Sequence, residues 1–313
     1  TLISMKFEQI MPSTTTMADA TLPTVAMDTE AGTQYNALHG YTSELDSTLF
    51  YGNITPVAKD RKLTVTINTY GEDIEGVAYK IRSLEDKSLI ENTEVSDYDN
   101  AGSSINVTFN IKNLLDTGKE YALEIVLKTK KHEAVYYYTR IVYGVDYDLQ
   151  KKLDFVMDFN ACTFDDSRLK DIAGYLETSS SGDNTNYGKV NINCSLSQVG
   201  WGDLDPYVES DIMPEVISVD DDVAILRLSY RVGAANDYSS SDTYTVSEYY
   251  RIRQTNSGFY LLNFEREMNQ VFDARNDLTS TAKINLGINS STDVNCASNE
   301  KGIYTYFVNQ GSL

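Results

Sequence analysis

Histidine, cysteine and carboxylate usage sets the chemistry open to this chain of 313 residues, which carries two His, three Cys and 46 Asp plus Glu. His39 and His132 are too few for a histidine-based triad or a multi-histidine metal centre. His132 sits in Lys130-Lys131-His132-Glu133, a polar hairpin tip. His39 follows a strand beside Gly40 and Tyr41, where a hydrogen-bonded structural role outweighs a ligand contact. Cys162, Cys194 and Cys296 lack the close paired spacing of a zinc site and make no disulfide framework. Cys162 and Cys194 are able to pair, but free, partly buried thiols are the simpler state. No glycine-rich phosphate loop stands between a strand and a helix, which argues against nucleotide chemistry.

Carboxylates remain. A glycosidase needs two acids about 5–10 Å apart across a cleft, one kept protonated by its surroundings. Asp203, Asp205 and Glu209 near Trp201 are the candidates, because sugar sites combine acids with an aromatic platform. Among so many acids such clusters also arise by chance. The expectation for cofactors is none, with calcium as the alternative. Asp203-Leu204-Asp205, Asp220-Asp221-Asp222 and Asp97-Tyr98-Asp99-Asn100 offer oxygen ligands, yet none completes an EF-hand loop. Asp220–Asp222 reads more simply as a charged turn.

Aromatic concentrations are the better binding candidates. Tyr136-Tyr137-Tyr138 must split across both faces of a strand, because neighbouring side chains alternate. With Tyr137 inward beside Val135 and Ile141, Tyr136 and Tyr138 face outward near Arg140. They then form a ligand patch or pack against the second half of the chain. Trp201, between Gly200 and Gly202, is either exposed for stacking on a sugar or a plug in the core.

The net charge of −20 repels phosphate backbones and anionic lipid headgroups, so neither nucleic acid nor peripheral membrane docking is expected. Twenty-three tyrosines against ten phenylalanines and one tryptophan favour half-buried strand positions, where the ring is inside and the hydroxyl reaches water.

Period-two alternation is clearest from Leu63 to Tyr143: in Leu63–Asn68, Val77–Arg82, Ile105–Ile111, Tyr121–Leu127 and Val135–Tyr143. Strands with one apolar face need a second sheet to cover it, which predicts a sandwich. Thr24–Met27 and Tyr35–Leu38 are two further short strands. After Gly144 the period becomes helical, with Leu149, Leu153, Val156 and Met157 on one side. A second helix follows Asp165-Asp166-Ser167-Arg168 and should bury Leu169, Ile172, Ala173 and Leu176. Strands return at Val190–Cys194, Ala224–Val232, Tyr249–Arg253 and Phe259–Phe264, the last two joined at Thr255–Gly258. The fold class expected is mainly β with α+β. A lead-in from a removed anchor covers 1–20, a β-sandwich domain 21–144, and an α+β domain 145–313. Because Thr1 opens the chain and the strand Tyr304–Val308 runs almost to its end, trimming at both ends is expected.

Leu115-Asp116-Thr117-Gly118-Lys119-Glu120-Tyr121 resembles the tyrosine corner of fibronectin type III and related immunoglobulin-like domains, so residues 60–143 resemble that sandwich. The resemblance implies that the Tyr121 hydroxyl bonds back to upstream backbone. Leu38-His39-Gly40-Tyr41-Thr42, Leu153-Asp154-Phe155-Val156, Trp201-Gly202-Asp203-Leu204 and Tyr250-Arg251-Ile252-Arg253 carry a second likeness. They resemble uncharacterised clostridial Gram-positive proteins with one N-terminal membrane helix and an external β-rich region. That implies an extracytoplasmic, membrane-anchored location and no activity. The expected function is a non-catalytic binding or sensing module for a cell-surface ligand: a glycan, a peptide or a membrane protein. Candidate contacts are Trp201, Asp203, Asp205, Tyr136, Tyr138 and Arg140. The alternatives are a cell-wall or polysaccharide hydrolase using the acids near Trp201, and a structural spacer.

Overall fold

Alternation puts every second residue of a strand on one face, and in residues 62–68 that face is Leu63, Val65 and Ile67, all buried. The same parity organises β1 (Thr24–Asp28), β2 (Gln34–Leu38), β3 (Ile54–Val57) and β4 (Lys62–Asn68). It continues in β5 (Ile74–Ser83), β6 (Leu89–Val95), β7 (Ser104–Asn110), β8 (Glu120–Thr129) and β9 (Val135–Tyr143). The computed structural model describes residues 22–98, 102–144, 147–235, 241–271, 296–298 and 305–307. The expected lead-in over 1–20 and the Asp99–Asn100 part of the acidic turn lie outside them.

Strand order is β2-β1-β4-β7 in one sheet and β3-β9-β8-β5-β6 in the other. All pairings are antiparallel except β3 with β9, which run parallel from Ile54 beside Arg140 to Val57 beside Tyr143. The inner faces meet where the Tyr79 and Phe109 rings stack 4.8 Å apart. The Tyr137 hydroxyl crosses to the other sheet and donates to the Pro23 carbonyl at 2.7 Å. Tyr121 behaves as its sequence context predicts, its hydroxyl accepting from the Asp116 amide at 2.8 Å. Gly118 turns the chain there with φ +75°, a conformation that favours glycine.

Beyond Gly144, α1 (Leu149–Thr163) leads through a 3-10 helix (Leu169–Tyr175) to β10 (Lys189–Asn191), α2 (Leu196–Val199) and β11 (Tyr207–Val208). Then come β12 (Met213–Val219), β13 (Val223–Ala235), β14 (Ser241–Thr255) and β15 (Gly258–Gln270). They form a third, antiparallel sheet of order β10-β15-β14-β13-β11, with β12 also paired to β13. β16 (Cys296–Ser298) and β17 (Thr305–Phe307) form a separate antiparallel pair, β17 being the described part of the strand expected over 304–308. The chain is thus mainly β, with α+β character in its second part. α1 packs on the third sheet through Phe155 stacked on Phe259 at 4.8 Å and Phe159 against Tyr250 and Phe264.

The second expected helix differs in kind. Only Ile172 is buried, Leu169 and Leu176 are half-buried, and Ala173 is exposed. Lacking a continuous apolar stripe, the segment closes i→i+3 bonds instead, Asp171 to Arg168 and Leu176 to Ala173. Cys162 and Cys194 are buried free thiols.

A buried asparagine joins the first part of the chain to the second. The Asn36 side chain accepts from the Val216 amide of β12 at 2.7 Å while donating to Ile54 and Thr55. Within the second part, the buried Lys152 ammonium ties α1 to the turn between β12 and β13, donating to the carbonyls of Tyr147, Asp220 and Asp221. Asp220 meanwhile caps its own turn, its Oδ1 accepting from the Asp222 and Val223 amides.

Candidate functional site

Gly40 is where the chain leaves β2 and turns onto the outer face of the five-stranded sheet. A Cβ at this position would come within 2.6 Å of Val135, so only glycine lets the backbone lie so close. Tyr41 then pairs with Tyr136 through two backbone hydrogen bonds of 2.9 Å. Residues 41–51 continue as a strap over β9 and β8, with a single 3-10 turn at Ser47–Leu49.

The strap is fastened by rings and charges. Phe50 stacks on Tyr138 at 4.4 Å and 20°, Tyr41 lies 5.7 Å from both rings, and the Tyr138 hydroxyl accepts from the Leu45 amide at 2.7 Å. Burial pushes the Tyr138 hydroxyl up to about 12. Lys80 reaches through to bind Glu124 beneath at 2.8 Å and Glu44 above at 2.9 Å. Asp46 caps the 3-10 turn and takes the Lys87 ammonium at 2.7 Å. Lys87 first, and then Thr48, hold the Asp46 carboxyl down to about 2.

This last arrangement sets a pH expectation. A depressed carboxylate contributes its pairing fully above its ordinary range and loses it as pH falls through the folded value. The Thr48 amide resonance should therefore move with a midpoint near pH 2. The thermal midpoint should change little, because exposed pairs contribute little. A Thr48 midpoint at pH 4, the ordinary aspartate value, would show the cap to be absent.

What the strap presents to water is apolar. Tyr41, Leu45, Leu49 and Tyr51 are 42%, 41%, 66% and 59% exposed. Beside them Arg140 lies 5.2 Å over the Tyr51 ring and binds Glu120 at 2.7 Å, while its buried Nε has no hydrogen-bond partner among the described residues. Of the expected aromatic patch, Tyr136 is half-buried, Arg140 mostly buried and Tyr138 only 5% exposed. Tyr138 does face outward, but the chain's own residues 41–51 cover it, not the second half of the chain. Sequence reasoning missed the strap because its apolar residues follow neither period.

Trp201 is no loop platform. It is 1% exposed, with the Arg266 guanidinium 3.4 Å from its ring centroid and Phe164 at 5.3 Å. The plug reading holds, and sugar stacking on this ring is overturned by its burial. Asp203 and Asp205 are exposed on the following turn, whereas hydrolysis needs acids facing each other across a walled cleft. His39 is exposed and makes no side-chain hydrogen bond to a described residue, so it is not the structural histidine expected.

The densest polar constellation lies elsewhere and was not foreseen. Glu248 and Arg266 are fully buried in the third sheet. Glu248 accepts from Tyr250 at 2.6 Å, Asn160 at 2.8 Å and Tyr230 at 3.0 Å, with Arg266 3.8 Å away. Burial above all, and next the Glu248 charge, keeps both tyrosine hydroxyls protonated far above their ordinary range. Arg266 spends two donors on the carbonyls of Val199 and Gln198. Donors and acceptors resemble a catalytic set, but they are sealed from water. They hold α1, α2 and the sheet together.

No family model matches the chain, and no curated protein matches it. Among solved structures it is similar to the crystal structure of Spo0M, a sporulation control protein from Bacillus subtilis. The likeness has 8% identity and a TM-score of 0.22, over 69% of this chain and 86% of that one. So slight a likeness carries no argument.

Proposed function

We propose that this chain is a non-catalytic binding module, displayed outside the cell by a membrane-anchored surface protein, and that the strap 41–51 is its binding face. One observation carries the reading: four large apolar side chains stand exposed on a segment that is pinned beneath by a ring stack and ion pairs. Apolar groups held in fixed positions bind without first losing much conformational freedom. Tyrosine and arginine at the centre suit recognition of a peptide or protein surface. The strand orders β1-β4-β7 and β6-β5-β8-β9, with the Tyr121 bond, support an immunoglobulin-like sandwich as the scaffold. The acid surface and the clostridial likeness support the extracytoplasmic location.

The test is a binding screen of the purified chain against surface peptides and wall glycans. Leu49→Ala with Tyr51→Ala should weaken the selected ligand at least about tenfold, as interface anchors do. It should leave the thermal midpoint unchanged, since both side chains are exposed. Asp203→Asn and Asp205→Asn should leave binding intact. Unchanged affinity in the strap variant would remove this face from the proposal, and glycan turnover abolished by either aspartate change would replace it with a hydrolase.

A further inference from the structure

At the end of the four-stranded sheet, away from the strap, a cleft of about 410 Å3 opens between the first part of the chain and the start of α1. That volume falls within the range of small-molecule sites, and junctions between structural units are where such sites tend to occur. The Gln150 side chain fastens its wall by accepting from Thr29 and donating to Thr33. Pro56, Leu63 and Leu149 give it an apolar lining.

Its polar groups are unbalanced in two ways. Asp28, Glu30, Asp60 and Asp148 line it against only Lys62 and Lys151, and Lys151 is already engaged by Asp148 at 2.9 Å. Asp28 is half-buried and receives the Thr66 hydroxyl at 2.8 Å, but no cation of the described residues neutralises it; burial raises its carboxyl above the usual range. The second imbalance is independent of charge. Tyr35 is 2% exposed and lines the cleft, yet its hydroxyl makes no hydrogen bond to a described residue. The hydroxyl is open to the cleft, where a ligand that bonds it takes the place of water.

We infer that this cleft binds an organic ammonium compound with a short aliphatic body. The body lies against Leu63 and Leu149, the acids supply counter-charge, and the Tyr35 hydroxyl takes the remaining hydrogen bond. A free diamine and a lysine side chain of a peptide share this chemistry. The site is separate from the strap and does not rest on it.

Titration calorimetry on the full chain would use cadaverine, a blocked Gly-Lys-Gly peptide and pentanol. Either amine source, or both, should bind while pentanol does not; which amine binds identifies the source. Tyr35→Phe should weaken amine binding about three- to tenfold, the share of one hydrogen bond. It should leave the thermal midpoint unchanged or raised, because the hydroxyl removed had no partner. Asp28→Asn should weaken binding further, and added salt should mimic it. Absence of heat and of amide shifts at millimolar amine, equal binding of pentanol, or undiminished affinity in Tyr35→Phe would each overturn the inference. Leu49→Ala with Tyr51→Ala should leave amine binding untouched, so that failure of one site is distinguishable from failure of the other.

Discussion

Replacing Arg266 with alanine should lower the free energy of unfolding by about 3–5 kcal/mol, read from urea denaturation. The loss has three sources. The Glu248 carboxylate is left in the core with no described cation paired to it, where Arg266 now stands at 3.8 Å. The Val199 carbonyl at the end of α2 loses its Arg266 donor, and the Gln198 carbonyl keeps only backbone amides. The Trp201 ring loses the planar group stacked on it at 3.4 Å. Trp201 is the chain's single tryptophan, so its emission reports the site directly and should shift to the red. Arg266→Met combined with Glu248→Gln should recover more than half of the loss, because the uncompensated charge is then gone. A cost below about 1 kcal/mol for the single change, the scale of an exposed pair, would show that the network holds little together.

Asn36→Ala should cost about 3 kcal/mol or more. The side chain is fully buried and its backbone sits at φ +49°, a conformation that asparagine tolerates and alanine resists by about 1–2 kcal/mol. Alanine also strands the Val216 amide and removes the donor to Ile54, each buried group costing about 1–3 kcal/mol when unmet. Hydrogen exchange should rise across β12 while β8 stays protected, since Asn36 bonds β12 to the first part of the chain. Asn36→Gly tolerates positive φ but makes neither bond, so it should raise exchange in β12 as alanine does. Retained protection of β12 in the glycine variant would mean that the Val216 bond contributes nothing.

Much of this architecture is legible in the sequence where one face of a strand meets a core and the other meets water. Leu63, Val65 and Ile67 show it, and so does the turn at Thr255–Gly258. Legibility ends where burial and residue type part company. Val246, Glu248, Tyr250 and Ile252 share one parity, as do Phe264, Arg266 and Met268. Charge at the middle positions makes both runs look exposed, although continuing the parity would have marked Glu248 and Arg266 as inward. The strap is illegible for a different reason. Its residues cover the outer side of a sheet already complete in itself, and nothing in local periodicity announces a second layer. Trp201 lay between readings because flanking glycines indicate a tight turn without saying whether the turn points outward. Tyr187 and Leu169, against which Gly202 and Gly200 pack, decide that it points inward.

The parallel pairing of β3 with β9 has a mechanical side. Tension applied ahead of Ile54 and behind Tyr143 would slide two strands of like direction past one another. Their ladder bonds, and the Gly144 bond to Val57 at 2.7 Å, would stretch together instead of opening one after another as a hairpin does. β1 and β2 lie upstream of that clamp and would be peeled away first. A pull on the chain ahead of β3 would thus stop at the clamp, and the five-stranded sheet would keep its shape until the whole ladder gave way at once.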